Sequence, residues 1–128
     1  MFDDSTPIFM QLADQLCAEI VAGTYPDGAK APSINELAVF HRINPATANR
    51  AIALLIERGV LIKRRGIGMF VADGARLRLI EERRQALVDR YVRPLIAEAA
   101  TLGISGRELI ALIQKEVNPR PPPSPSTA

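Results

Sequence analysis

The chain has one cysteine, one histidine and no tryptophan, and aromatic residues make up 5% of its 128 residues. A single cysteine, Cys17, excludes an intrachain disulfide and fits a reducing compartment. Its place in a helical apolar pattern marks it as a packed thiol. The lone histidine, His41, has no partners from which to build a metal site, and nothing in the residue pattern asks for a cofactor. With one His, one Cys and no carboxylate pair at catalytic spacing, no nucleophile–base constellation can be assembled, which argues against an enzyme. No apolar run approaches the roughly 20 residues needed to cross a bilayer. The opening Met1-Phe2-Asp3-Asp4 is acidic and lacks the basic, apolar and small-residue order of a signal peptide, so a cytoplasmic, soluble chain is expected. What remains is 48% hydrophobic and long enough for one compact domain of roughly 70 residues plus an appendage.

The net charge of +2 hides an uneven distribution. The first 29 residues carry five acidic side chains and no Lys or Arg, whereas Lys30 to Ala72 holds seven Lys and Arg against Glu36 and Glu57. A positive centre of this kind suits contact with phosphate; a solvated face with a chance excess is the plainer alternative.

The centre also holds the best-marked helix, Ile43 to Gly59. Asn44 is a good N-cap, Pro45 suits the first helical position, and Gly59 terminates the last turn. Ala48, Ala51, Ile52 and Leu55 form an apolar stripe, while Ala46, Thr47, Asn49 and Arg50 give the first two turns a small, polar front. Such a helix can enter a DNA groove while its apolar back stays anchored. Before it, Pro7 to Ala22 is amphipathic through Ile8, Leu12, Leu16 and Ile20, with Thr6 as its cap. Ser33 and Glu36 make a capping box for a short helix through Leu37, Ala38 and Phe40. Two short helices in tight succession predict a helix-turn-helix. After Gly59 the period changes: Val60 to Arg65 and Met69 to Ala72, parted by Gly66-Ile67-Gly68, predict a β-hairpin with basic residues leading into its tip. The fold class expected is mainly α with a small β-hairpin, a winged helix-turn-helix domain over residues 1–73.

A helical region over 74–118 follows, with Leu77, Ile80, Leu87, Tyr91, Leu95, Ala99 and Leu102 spaced by three, four or seven. Pro94 deprives the Arg90 carbonyl of its partner, so a kink or break is expected there. Ser105 and Glu108 suggest a second capping box, opening a last helix through Leu109, Ile110, Leu112, Ile113 and Val117. So much aliphatic surface on two helices predicts a homodimer interface, with Leu77, Ile80, Leu87, Tyr91, Leu95, Leu109, Leu112 and Ile113 as its residues. The alternative is folding back onto the first domain. Residues 119–128, with five prolines, are expected to form a disordered tail. The Asp73–Gly74 joint and the Pro94 kink are candidate hinges. An apolar small molecule between the last helices is a candidate effector, of unknown identity.

Arg50 is the foremost candidate for DNA contact, able to pair with phosphate or to grip guanine with two hydrogen bonds. Thr47 and Asn49 can touch a thymine methyl, an adenine edge or a phosphate. Arg64 and Arg65 flank the glycine turn and should meet phosphate or the minor groove. The rival reading is a winged helix used only for protein contact, which leaves the basic wing without a purpose.

Four blocks in order resemble the GntR family of bacterial transcription regulators: Pro7 to Leu12, Ile20 to Gly23, Pro32 to Ala38, and the recognition stretch, followed by a wing at Arg64 to Val71. The Asn44-Pro45-x-Thr47 start with a short helical C-terminal region resembles the YtrA-type branch. The resemblance implies a dimeric, repressor-like regulator of double-stranded DNA, often acting on genes for membrane transporters and lacking the larger effector domains of its relatives. It places DNA contacts on Ser33, Asn35, Asn44, Thr47, Asn49 and Arg50, and on Arg65, Gly66 and Gly68 of the wing. The chain departs from the family in having Asn35 where Arg is usual, and it lacks the basic residue that many relatives carry at Pro45 or Asn49.

Overall fold

The computed structural model describes residues 2–119. From residue 120 on, the expected tail lies outside the described residues. The elements run α1 (Ile8–Ala22), α2 (Ile34–His41), α3 (Pro45–Glu57), β1 (Leu61–Arg64), β2 (Gly68–Val71), α4 (Ala75–Leu87), a π-helical stretch (Val88–Val92), α5 (Arg93–Thr101) and α6 (Gly106–Val117). They fall into two compact units, Met1–Arg83 and Arg84–Ala128.

In the first unit, Leu12, Leu16 and Ile20 of α1 meet Leu37 and Ala38 of α2 and Ala48, Ala51, Ile52 and Leu55 of α3 in one core. Ala48 and Ala51 are fully buried, so the absence of larger side chains there lets α3 lie close to its neighbours. Val60, Leu61, Met69 and Val71 bring the hairpin onto the same core, and Cys17 is buried within it. Burial pushes the Cys17 thiol above its usual pKa, with Asp14 adding to the rise, so the group is packed and protonated at neutral pH.

Local signals set most of the element ends. Ser33 Oγ accepts from the Glu36 N–H (3.0 Å) and the Glu36 carboxylate accepts from the Ser33 N–H (3.2 Å), completing the expected box. Asn44 Oδ1 accepts from the Ala46 N–H at 2.8 Å. Between α2 and α3 the turn is made by Arg42, held in the left-handed region (φ 55°) with its N–H directed to the carbonyls of Ala38 and Val39. Thr6 is not the cap of α1: Pro7 occupies that place and no side chain caps the helix. The Thr6 carbonyl is taken instead by Gln11 Nε2 (2.7 Å), which also bonds the Asp3 carbonyl, while Gln11 Oε1 accepts from the Asp3 N–H. Gln11 thus folds the N-terminal arm against the start of α1.

The hairpin pairs Leu61 with Val71, Ile62 with Phe70, Lys63 with Met69 and Arg64 with Gly68. Its far edge is covered by residues that no sequence signal marked. Ala31 N–H reaches the Met69 carbonyl (2.8 Å), Val71 N–H reaches Ala29 (2.9 Å), and Lys30 bridges Phe70. This short bridged segment covers part of the edge of β2.

The first unit does not end at residue 73. Ala75 and Leu79, one turn apart on α4, close its core, whereas Leu77 is 70% exposed. Asp27 caps α4 from 47 residues away, its carboxylate accepting from the Gly74 N–H (2.8 Å) and, at 3.4 Å, from Arg76 N–H. Arg76 Nε bonds the Val21 carbonyl and Arg78 bonds that of Arg58. The Asp73–Gly74 joint, expected as a hinge, is therefore pinned by these bonds.

In the second unit, the helix ahead of Pro94 widens into a π turn, with Arg93 N–H bonded to the Val88 carbonyl. Pro94 offers no N–H to the Arg90 carbonyl and crowds it, and a wider turn relieves both. Where a kink or break is expected, the structure shows instead a π turn, with the chain helical from Ala75 through Thr101. Ser105 Oγ accepts from the Glu108 N–H (3.1 Å), one half of the expected box. Ala99 and Leu109 are this unit's buried apolar residues. No helix among the described residues is long and apolar enough to cross a membrane.

Candidate nucleic-acid interface

Helix α3 packs against α1, α2 and β1, which fixes its back and leaves its opposite side outward. On that side Pro45, Ala46, Asn49 and Arg50 are exposed and Thr47 is half-buried. The acidic residue of α3, Glu57, lies in its last turn, so the first turns present small and polar side chains at the positive end of the helix. No Asp or Glu lies between Pro45 and Ile56.

Two of the candidate residues are already engaged in caps. Ser33 and Asn44 use an oxygen to cap their helices. The Asn44 amide NH2 remains as a donor, and phosphate oxygens can only accept, whereas the Ser33 hydroxyl also bonds the Glu36 carboxylate. Asn35 stands exposed in the first turn of α2. The Glu36 carboxyl beside it is held below its usual pKa, first by the hydrogen bond from the Ser33 backbone, then by the Ser33 side chain and by Lys30.

The hairpin carries the densest positive charge. Lys63, Arg64 and Arg65 are exposed along β1 and into its turn, where the Ile67 N–H bonds the Arg64 carbonyl at 3.0 Å. Gly66 takes the left-handed conformation (φ 75°) that the turn requires. Gly68 is the first residue of β2, opposite Arg64, and not part of the turn. Its φ of 139° disfavours any side chain, and an added Cβ would lie 3.0 Å from Lys30 Cε. The close approach shows that Lys30 lies along the hairpin, adding a fourth cation to it. No sequence signal placed Lys30 there, because a single β-bridge is too short to leave a periodic pattern.

Two arginines lie over aromatic rings that the sequence did not pair with them. The Arg50 guanidinium carbon lies 4.0 Å from the centre of the Phe9 ring, and that of Arg64 lies 4.9 Å from the Phe70 ring. His41 is the last residue of α2. It stacks edge-on with Phe40 (4.9 Å) and tilted against Phe2 (5.3 Å).

The residues named for dimerisation divide differently. Leu77, Leu87, Tyr91, Leu95, Leu112 and Ile113 are exposed and Ile80 is half-buried. Leu109 is the exception: at 7% exposure it is consumed where α5 and α6 pack within the chain, so it cannot itself meet a partner.

With this geometry in hand, comparison with known proteins places the chain. The model for bacterial regulatory proteins of the gntR family matches residues 10–71. The HTH-type transcriptional repressor YtrA of Bacillus subtilis (strain 168) is 30% identical over 105 residues, covering 82% of this chain and 80% of that protein. A GntR family transcriptional regulator from Listeria monocytogenes is similar in structure, with a TM-score of 0.67 and 36% identity over 89% of this chain and 98% of its own. The DNA-binding domain of AraR, solved in complex with operator ORX1, has a TM-score of 0.53 at 27% identity and covers 56% of this chain and 93% of its own.

Proposed function

The chain belongs to the gntR family of bacterial regulatory proteins, and from that premise we propose that it is a repressor that binds a near-palindromic operator as a homodimer. It is a DNA-binding transcriptional regulator built on a winged helix-turn-helix. The reading assigns α3 to the major groove, with Thr47, Asn49 and Arg50 toward base edges and phosphates. Ser33, Asn35 and Asn44 grip the backbone from the helix N-termini, and Arg64, Arg65, Gly66 and Gly68 meet it at the wing. The observation that carries the reading is the exposed, carboxylate-free front of α3 on a helix whose back is wholly buried. A regulator of bacterial DNA works in the cytoplasm, where that DNA lies.

Dimerisation is supported by the exposed aliphatic side chains of α5 and α6, among them Leu95, Ile96, Leu102, Ile110, Leu112 and Ile113. In a two-fold dimer the half-sites lie about one helical turn, roughly 34–36 Å, or a multiple of it apart. The similarity to YtrA, a named repressor, supports the negative sign of regulation. Selection of bound duplexes from a random pool tests the whole reading. A near-palindromic consensus is expected, bound with an affinity that falls steeply as salt rises. Absence of duplex binding at low salt would favour a winged helix serving protein contact alone.

A further inference from the structure

Phe9 packs at the margin of the core and Phe70 on the hairpin, each half-buried. Phe9 is three residues before Leu12 and four before Ala13, on the inward face of α1. Phe70 lies between the inward-facing Met69 and Val71, so its ring belongs to the other face of the hairpin. There it pairs with Ile62, and Arg64 is its diagonal neighbour. Each ring is covered by a guanidinium, Arg50 at 4.0 Å and Arg64 at 4.9 Å. Among the described residues neither guanidinium has an ion-pair or hydrogen-bond partner; the ion pair found there joins Arg93 to Asp89.

We propose that Phe9 and Phe70 are positioning residues for DNA binding: each holds an arginine guanidinium against the protein and leaves its N–H groups open to the duplex. The inference rests on the proposed DNA-binding role of Arg50 and Arg64. The five N–H groups of a guanidinium lie in its plane, so a ring against one face engages the charge without occupying a donor. A long, exposed arginine otherwise loses its rotamer freedom on meeting DNA. Stacking removes part of that freedom beforehand, and the arginine meets the operator already oriented. Arg65, at the hairpin turn, has no such ring and serves as the internal contrast.

The test is a double-mutant cycle on the full-length chain with the duplex recovered by selection. Phe9→Leu keeps apolar volume, so circular dichroism and the thermal midpoint should stay near those of the parent. Operator affinity should fall about three- to tenfold, while the slope of log K against log salt is unchanged, because no phosphate contact is lost. Arg50→Ala should weaken binding by more, and adding Phe9→Leu to it should change nothing further. Phe9→Tyr, which retains the ring, should restore affinity to within about twofold. Phe70→Leu with Arg64→Ala should behave in the same way, whereas Phe70→Leu with Arg65→Ala should give independent losses.

Losses that multiply in the Phe9–Arg50 cycle, a folded Phe9→Tyr that binds like Phe9→Leu, or an Arg50→Ala that binds like the parent would each overturn the proposal while leaving DNA binding intact. A parent chain that binds no duplex at low salt would overturn both.

Discussion

The two compact units treat their aliphatic side chains in opposite ways. In the first, the apolar stripes of α1, α2 and α3 are spent on one another, and Leu12, Ile20, Leu55, Val60 and Val71 are all but sealed from solvent. In the second, Ala99 and Leu109 are buried while Leu95, Ile96, Leu102, Ile110, Leu112, Ile113 and Val117 remain exposed. Each set has helical spacing, so periodicity alone does not distinguish a core from an interface. What separates them is the presence of a third and fourth element. α1, α2, α3 and the hairpin enclose a volume, whereas α5 and α6 pack on each other along one side and leave the rest of their apolar surface open. A sealed core and an open apolar face follow from the same residue types.

Substitution in each unit tests that contrast. Leu55→Ala removes a fully buried side chain and should destabilise the first unit by about 2–5 kcal/mol in denaturant unfolding. A loss below about 1 kcal/mol would mean that α3 is not anchored by its stripe. Leu112→Asp alters a half-exposed side chain and should leave unfolding of the isolated chain almost unchanged. It should weaken self-association by on the order of 2 kcal/mol, roughly thirtyfold, measured by sedimentation across concentration. If Leu112→Asp and Leu95→Asp both associate as the parent does, the exposed aliphatic faces are not the dimer interface, and the proposed symmetry goes with them.

The legible parts of the fold are those whose cause lies within four residues. The Ser33–Glu36 box, the Asn44 cap, Pro45 and Gly59 all act inside one helical turn, and the hairpin is written in a change of period. The exposure of Asn49 and Arg50 follows from the burial of Ala48, Ala51 and Ile52 beside them. What escaped sequence reading depends on partners far along the chain. Asp27 reads as a turn residue until Gly74 is brought to it, and Lys30 and Ala31 pair with β2 because it has an open edge. Arg50 finds Phe9 across the packing of α3 on α1. Leu109 has the same spacing as Leu112 and Ile113, and its burial is decided by which side of α6 meets α5.

The long-range cap gives the next prediction. Asp27 holds the first turn of α4 to the link after α1, so Asp27→Ala frees the Gly74 and Arg76 N–H groups together. A cost of about 1 kcal/mol is expected, with faster amide exchange at residues 74–78 and unchanged protection in α6. Equal loosening of α6 would mean that the two units unfold as one, contrary to the division drawn above.

The smallest effect expected is one of pH, and it too should stay within the first unit. The Glu36 carboxylate accepts from the Ser33 N–H, and this bond holds its pKa below the usual value. A folded-state pKa below the unfolded one makes the charged form the stabilising form. Its contribution is complete above the unfolded carboxylate pKa, about 4.3, and is lost as pH falls through the lower folded value. Asp3 is lowered in the same sense by its bonds from Ser5, so the acid response of the parent alone mixes two groups. The comparison with Glu36→Gln isolates one of them, since the amide can still accept from Ser33 but cannot lose a charge. Between pH 6 and pH 3 the thermal midpoint of the first unit should fall slightly more in the parent than in Glu36→Gln. The second unit should show no difference between the two proteins. Parallel curves for the first unit would mean that the carboxylate charge adds nothing to the cap beyond a neutral hydrogen bond.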